Sequence, residues 1–301
     1  MKTNFVKTSF FKTMTFFSIF LSGIASCLLS STAQAALLSD KIPYYGEEFY
    51  QDLNAGVANK NLAAQIKFIL KSYHTPQEGV LDQVTSNCAG PKCYVHTAIG
   101  YDAARVFMFG SFYLIRDEKG YGVKDVYCDH NRMQEEFVHG NPPAPGSIPD
   151  GNVINVEHTW PQSRFTGRYD TLMQKSDVHH LFPTDSQMNS IRGNGWFGEV
   201  VKDTKNLKCK NVRFGKDSSG KENVFEPPVE HRGNVARALF YFSTRYDLSI
   251  EPNREAILRK WHKDDPVDEE EVDRNNQIFA LQRNRNPFID YPELADKISD
   301  F

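Results

Sequence analysis

Four cysteines, Cys88, Cys93, Cys128 and Cys209, lie downstream of an N-terminal stretch with the marks of an export signal, and together they restrict the topologies open to this chain. Lys2, Lys7 and Lys12 supply a positive start, an apolar run from Met14 to Leu29 follows, and Ala33-Gln34-Ala35 places small residues where a signal peptidase cuts, before Ala36. A membrane anchor and a lipoprotein box at Ile24-Ala25-Ser26-Cys27 are the alternatives. Removal of residues 1–35 takes Cys27 away and leaves an even number of cysteines, which in an oxidising compartment reads as disulfides. Four cysteines allow three pairings. The favoured one joins Cys88–Cys93 as a local clip and Cys128–Cys209 as a long-range bridge. Cys88-x4-Cys93 could instead be half of a zinc site, but no second cysteine pair or histidine pair completes it.

Composition excludes several classes. The net charge of −3 over 301 residues is wrong for a polycationic nucleic-acid coat, and 40 % hydrophobic with 24 % charged residues is wrong for a disordered chain. Residues 1–35 hold three lysines and no acidic residue, so their loss makes the net charge −6. Beyond them no apolar run reaches the roughly 18 residues that span a bilayer. Residues 36–301 show no repeat and no linker. They read as one mixed domain of the α+β class, exported to the periplasm or the medium, with no membrane association once the signal is cleaved, and monomeric.

The pattern of apolar residues predicts a helix over 62–73, a helix–strand mixture over 94–116, a strand over 122–128, and a loop over the Pro/Gly-rich 139–151. Further helices are expected over 229–247, 254–261 and 266–282, the last with an acidic first turn that suits the helix dipole. Residues 202–221 read as a loop. Seven basic residues against Asp203 and Asp217 make it locally +5. Such a run is either a solvated face or a contact to a nucleic-acid backbone, with Lys205, Lys208 and Lys210 as candidates.

Two segments concentrate the chemistry. The first runs Asn155-Val-Glu157-His158-Thr-Trp160-Pro161 and continues through Arg164 and Arg168. The second contains Asp177-Val-His179-His180-Leu-Phe182-Pro183-Thr184-Asp185 and Asn189-Ser-Ile-Arg192-Gly193. Glu157 is a hard oxygen donor suited to Mg2+ or Ca2+. His158 suits general-base work near neutrality. Neighbours on a strand face opposite ways, so both serve one site only where the strand ends, and Thr159-Trp160-Pro161 offers that end. Thr184-x-x-Gln187 is a capping-box pattern that predicts a short helix over 185–191, stopped by Gly193. Asn189, one turn in, would complete a metal site with Glu157. Asp177, His179 and His180 read as supporting residues that orient this site. Trp160 reads as core packing rather than base stacking.

These segments resemble the bacterial endonuclease I family of periplasmic and extracellular non-specific nucleases. So do Val123-Lys-Asp-Val-Tyr127-Cys128, Phe225-Glu-Pro-Pro228, Gly233-Asn-Val-Ala236-Arg237-Ala238 and Gln282-Arg-Asn-Arg-Asn286-Pro287-Phe288. The resemblance implies a ββα-metal (His-Me finger) active site. It implies that Glu157 and Asn189 hold Mg2+, with Mn2+ or Ca2+ as alternatives. His158 would activate water, and Arg164 or Arg168 would stabilise the phosphate. Arg192 would contact nucleic acid. The expected activity is largely sequence-non-specific cleavage of DNA, and of RNA, leaving 5′-phosphate ends. An exported zinc hydrolase built on His158, His179 and His180 is the alternative, though no His-Glu-x-x-His motif supports it. A non-catalytic exported binding protein would require the Glu157, His158 and Asn189 set to be coincidence.

Overall fold

The computed structural model describes residues 41–88 and 90–301. The export signal expected over 1–35, with its alternative at Cys27, lies outside the described residues. The chain starts with helices α1 (Gly46–Asn54) and α2 (Asn59–Lys71) and a short hairpin, β1 (Tyr73–Thr75) with β2 (Gln83–Thr85). Helix α3 (Tyr101–Phe107) runs into a π-helical turn, Met108–Phe112. An antiparallel sheet follows, β3 (Leu114–Asp117), β4 (Gly120–Asp125) and β5 (His130–Met133). Strand β6 (Ile154–His158) and helix α4 (Thr171–Ser176) precede strand β7 (Leu181–Asp185), which pairs antiparallel with β6 and leads directly into helix α5 (Ser186–Arg192). A further three-stranded sheet holds β8 (Lys202–Asp203), β9 (Arg213–Lys216) and β10 (Asn223–Glu226). The long helices α6 (Arg232–Tyr246), α7 (Pro252–Asp264) and α8 (Glu269–Gln282) and two single turns, Pro287–Asp290 and Leu294–Lys297, complete the chain. Mixed helices and small antiparallel sheets make this an α+β fold.

Helix α6 is the axis of the core. All but two of its residues are buried, so it is enclosed on every side, as a central helix is. Val235, Leu239, Phe240 and Phe242 pack into the larger apolar cluster, and Ala238 into the smaller one that also contains Ile154, Val178 and Leu181 of the β6–β7 region. Each large apolar side chain buried there contributes on the order of 1.5–3 kcal/mol. The charged residues of α6 are paired. Arg237 Nε donates to Glu271 Oε1 of α8 at 2.8 Å, and its Nη2 to Glu271 Oε2.

Three local expectations change. The 202–221 segment is not a plain loop: β8 and β9 lie in it, with Lys202 opposite Lys216, held by Arg213 Nη2 to Asp203 Oδ2 at 2.9 Å. Four residues of β9 are too few for an alternating pattern to stand out. Strand β4 stops at Asp125 rather than running to 128, because Val126 N–H donates to Pro183 O of β7 and Asp125 Oδ1 accepts Tyr127 N–H at 3.0 Å. The cap of α5 is Asp185, not Thr184. Thr184 is still in the β6–β7 ladder opposite Asn155, whereas Asp185 Oδ1 accepts Met188 N–H at 2.9 Å. Gly193, at φ +57°, ends the helix where a side chain would be strained. The disulfides join Cys88 to Cys93 and Cys128 to Cys209.

Candidate active site

Strand β6, strand β7 and helix α5 place the expected residues. Asn155 and Glu157 are two apart on β6 and share a face. Asn189 and Arg192 are three apart on α5 and share a face of that helix. The two faces meet. Asn189 Nδ2 donates to Asn155 Oδ1 at 2.6 Å and to Val156 O at 2.9 Å. Arg192 Nη1 stands 2.8 Å from Glu157 Oε1. Glu157 and Asn189 therefore lie at one β6–α5 interface. Because both donors of the Asn189 amide are used, its Oδ1 is left over as an acceptor, without a hydrogen-bond partner among the described residues.

Glu157 is 1 % exposed, and neither carboxylate oxygen closes a hydrogen bond of normal geometry. Burial pushes its pKa up to about 7, against Arg192 and the neighbouring Tyr127 hydroxyl, which pull it down. The Tyr127 hydroxyl is also buried without a partner. A buried carboxylate with one oxygen outside the Arg192 ion pair, at the same β6–α5 interface as a free amide oxygen, is a hard oxygen-donor set, which fits a small divalent cation.

His158 ends β6 on the opposite face. Its Nε2 lies 3.1 Å from Lys175 O, and since a carbonyl only accepts, Nε2 carries the proton. Its Nδ1 lies 3.3 Å from Gln162 Nε2 and so holds the lone pair. Burial, then the neighbouring His180, holds its pKa well below the usual imidazole range. The ring is thus neutral, with one nitrogen fixed as donor and the other available as a base. The end of the strand is gripped by Arg192, whose Nη1 donates to His158 O at 3.1 Å and Nη2 to Thr159 O at 2.7 Å.

Asp177, His179 and His180 stand behind this site. Asp177 accepts hydrogen bonds from Tyr241, Tyr246 and Gln282 and from the backbone of His179. Burial opposes its charge, but His96, His179 and Arg245 outweigh it and hold the carboxyl well below its usual range. Burial lowers His179 to about 3 and His180 to about 4. The Nε2 atoms of His158, His179 and His180 go to three different carbonyls, of Lys175, Asn284 and Gln174. Among the described residues, these histidines form no three-ligand cluster of the kind a zinc hydrolase would use. One such cluster, Asp125, Cys128 and Asp185, has other uses for its groups. Cys128 is in a disulfide, and Arg132 bridges both carboxylates at 3.3 and 2.8 Å.

The expected cations are dispersed. Arg192 is buried, and its guanidinium is taken by Glu157 and three carbonyls, so it braces the site rather than reaching nucleic acid. Arg164 is tied to Asn194 O by Nε and Nη2 and lies 4.0 Å above the Trp196 ring, which leaves Nη1 without a hydrogen-bond partner among the described residues. Arg168 donates to Asp247 O at 2.8 Å, at the end of α6. Lys208 Nζ pairs with Asp185 Oδ2 at 2.8 Å. Lys205 and Lys210 are exposed and line an open cavity of about 630 Å³. Trp160 is buried against Phe242 and Trp196. Asn155, Tyr127 and Gln162 carry roles not assigned from sequence. The signal for Asn155 was its place two residues before Glu157, on the same strand face.

Comparison with known proteins adds independent weight. The family model described as Endonuclease I matches residues 92–293. An extracellular ribonuclease of Bacillus subtilis (strain 168) is 36 % identical over 183 residues, 54 % of this chain and 60 % of that protein. Its counterpart in Bacillus amyloliquefaciens is 38 % identical over 172 residues, 51 % of this chain and 55 % of that protein. An extracellular deoxyribonuclease of Aeromonas hydrophila is 34 % identical over 119 residues, 38 % of this chain and 49 % of that protein. The chain thus spans between half and three-fifths of the length of these relatives.

Proposed function

The chain belongs to the endonuclease I family, and from that premise we propose that it is an exported, divalent-metal-dependent endonuclease. It hydrolyses phosphodiester bonds in DNA and in RNA with little sequence preference, acts as a monomer in the periplasm or outside the cell, and leaves 5′-phosphate ends. Relatives named as a ribonuclease and as a deoxyribonuclease support both substrates. The observation that carries the proposal is the pairing of a neutral His158, its Nε2 proton committed to Lys175 O, with the buried Glu157 carboxylate one residue away, whose Oε2 is left without a partner. The β6–β7–α5 succession supports a ββα-metal (His-Me finger) site.

In this reading Glu157 and Asn189 Oδ1 hold Mg2+, or Mn2+ or Ca2+ in its place. When bound, the cation supplies Lewis-acid stabilisation of the charge that builds on the phosphate. His158 Nδ1 takes a proton from water as the water oxygen bonds to phosphorus. The bond to the 3′ oxygen breaks, that oxygen takes a proton from solvent, and the phosphate stays on the 5′ side. The Nε2–H bond to Lys175 O orients the ring and stabilises the imidazolium as it forms. Asn155 fixes the Asn189 amide so that Oδ1 points away from the strand. Arg164, through its free Nη1, is the better placed of the two candidate arginines to meet a phosphate oxygen. Asp177, His179 and His180 support the site from the core. Lys205 and Lys210 meet backbone phosphates away from the cleavage point, which carries no base information.

Plasmid nicking with and without EDTA tests the proposal. Cleavage should disappear in EDTA, return with Mg2+, and fall by at least ~10²-fold in His158→Ala, the scale of a lost general base. Full activity in EDTA, or wild-type turnover by the variant, would overturn it.

A further inference from the structure

We propose that Lys175 is a phosphate-binding residue of the active site, and that its ammonium meets the substrate backbone on the His158 side. This inference rests on the nuclease reading above. Lys175 bears on His158 twice. Its carbonyl accepts the Nε2 proton at 3.1 Å, and its Nζ lies 4.5 Å from the centroid of the Tyr101 ring, which itself lies 5.6 Å from the His158 ring. Helix α4 thus fixes the base through its backbone and sets a cation beside it through its side chain. Asp170 anchors that helix, accepting Met173 N–H at 2.7 Å.

Lys175 also stands apart from the chain's other cations near the site. Arg192 is enclosed by Glu157 and backbone carbonyls, Arg168 is held by Asp247, and Arg105, on the same Tyr101 ring, is paired with Asp102. Among the described residues no carboxylate lies within 4.0 Å of the Lys175 ammonium. It is half-buried rather than enclosed, as a lysine is whose stem packs against the protein. A cation left unpaired next to a general base repels the imidazolium formed in the reaction. A phosphodiester anion lying against both removes that repulsion. The arrangement is complete only with an anionic substrate in place. Arg164 would then hold the phosphate from the α5 side and Lys175 from the α4 side.

The test compares Lys175→Met, which keeps the stem, with Lys175→Arg, which keeps the charge, and with Lys119→Met as an exposed control on the β3–β4 turn. Binding of a fluorescein-labelled single-stranded oligonucleotide is followed by anisotropy in EDTA across a salt series, and kcat/KM is measured with Mg2+. Lys175→Met should lower the magnitude of the slope of log K against log salt by about 0.7, the share of one phosphate contact on a single strand. It should also lose roughly tenfold in kcat/KM, the value of about 1.4 kcal/mol at 25 °C, with an unchanged melting temperature. Lys175→Arg should restore both, and Lys119→Met should change neither. An active wild-type protein whose Lys175→Met variant keeps its salt slope and kcat/KM would overturn this inference alone. A wild-type protein that neither binds nor cleaves nucleic acid would overturn the nuclease reading and this inference with it.

Discussion

Replacing Glu157 with glutamine is expected to stabilise the metal-free protein at alkaline pH. Burial raises the Glu157 pKa from 4.5 to about 7. Each unit corresponds to about 1.4 kcal/mol, so the shift amounts to about 3 kcal/mol. The folded protein holds this proton more tightly than the unfolded chain. The contribution is therefore fully present below about pH 4.5, fades as pH rises, and is lost above about pH 7. Glutamine has the shape of the protonated acid and does not ionise. In EDTA, urea unfolding should show Glu157→Gln more stable than wild type by up to about 3 kcal/mol near pH 8.5, with the difference closing near pH 4.5. Adding Mg2+ near pH 8.5 should raise the wild-type midpoint and leave that of the variant in place, since a ligand stabilises only a state that binds it. A variant equal to or weaker than wild type at alkaline pH would refute the reasoning, because it would mean that Arg192 already compensates the buried charge.

Two further substitutions probe the supports of the site. Asn155→Ala removes the acceptor that aims the Asn189 amide. It should raise the Mg2+ concentration needed for half-maximal cleavage by ~10-fold or more, the usual effect of losing a group that orients a metal ligand, while unfolding in EDTA stays near wild type. Asp185→Ala removes the α5 cap together with the carboxylate that pairs with Arg132 and Lys208, and at least about 1–2 kcal/mol should be lost in urea unfolding. Asp185→Asn, which still caps but leaves those two cations without their carboxylate, should recover only part of that loss.

The parts of the fold legible in the sequence are those in which an element is determined by its own residues. Helix α2 follows from Leu62, Ile66, Ile69 and Leu70, all buried, and the acidic start of α8 is capped by Asp268, which accepts Glu271 N–H at 2.8 Å. What stayed hidden depends on partners far along the chain. Nothing near Arg237 indicates that Glu271 neutralises it, 34 residues away. Nothing near Asp177 indicates that Tyr241, Tyr246 and Gln282 will surround it. The fate of Arg192 belongs to the same class. An arginine beside a presumed metal ligand reads as a phosphate contact, and only the packing of α5 on β6 turns it inward.

Adjacency of Glu157 and His158 was the strongest sign of a site and also the hardest to interpret, since strand geometry sends the two side chains to opposite faces. The structure keeps that opposition and makes use of it. Glu157 turns to α5, where an oxygen-donor set forms, and His158 turns to α4, where its proton position is fixed. The division depends on register. A slip of one residue in the β6–β7 ladder would exchange every face and put the base where the carboxylate belongs. Three contacts oppose that slip from outside the ladder. Asn189 holds Val156 O, Arg192 holds the carbonyls of His158 and Thr159, and Val126 N–H holds Pro183 O from the β4 side. On the proposed reading Arg192 then matters to the chemistry through the backbone rather than as a phosphate contact: it fixes the strand end at which the proposed base and the proposed metal ligand, one residue apart, would serve the same phosphate.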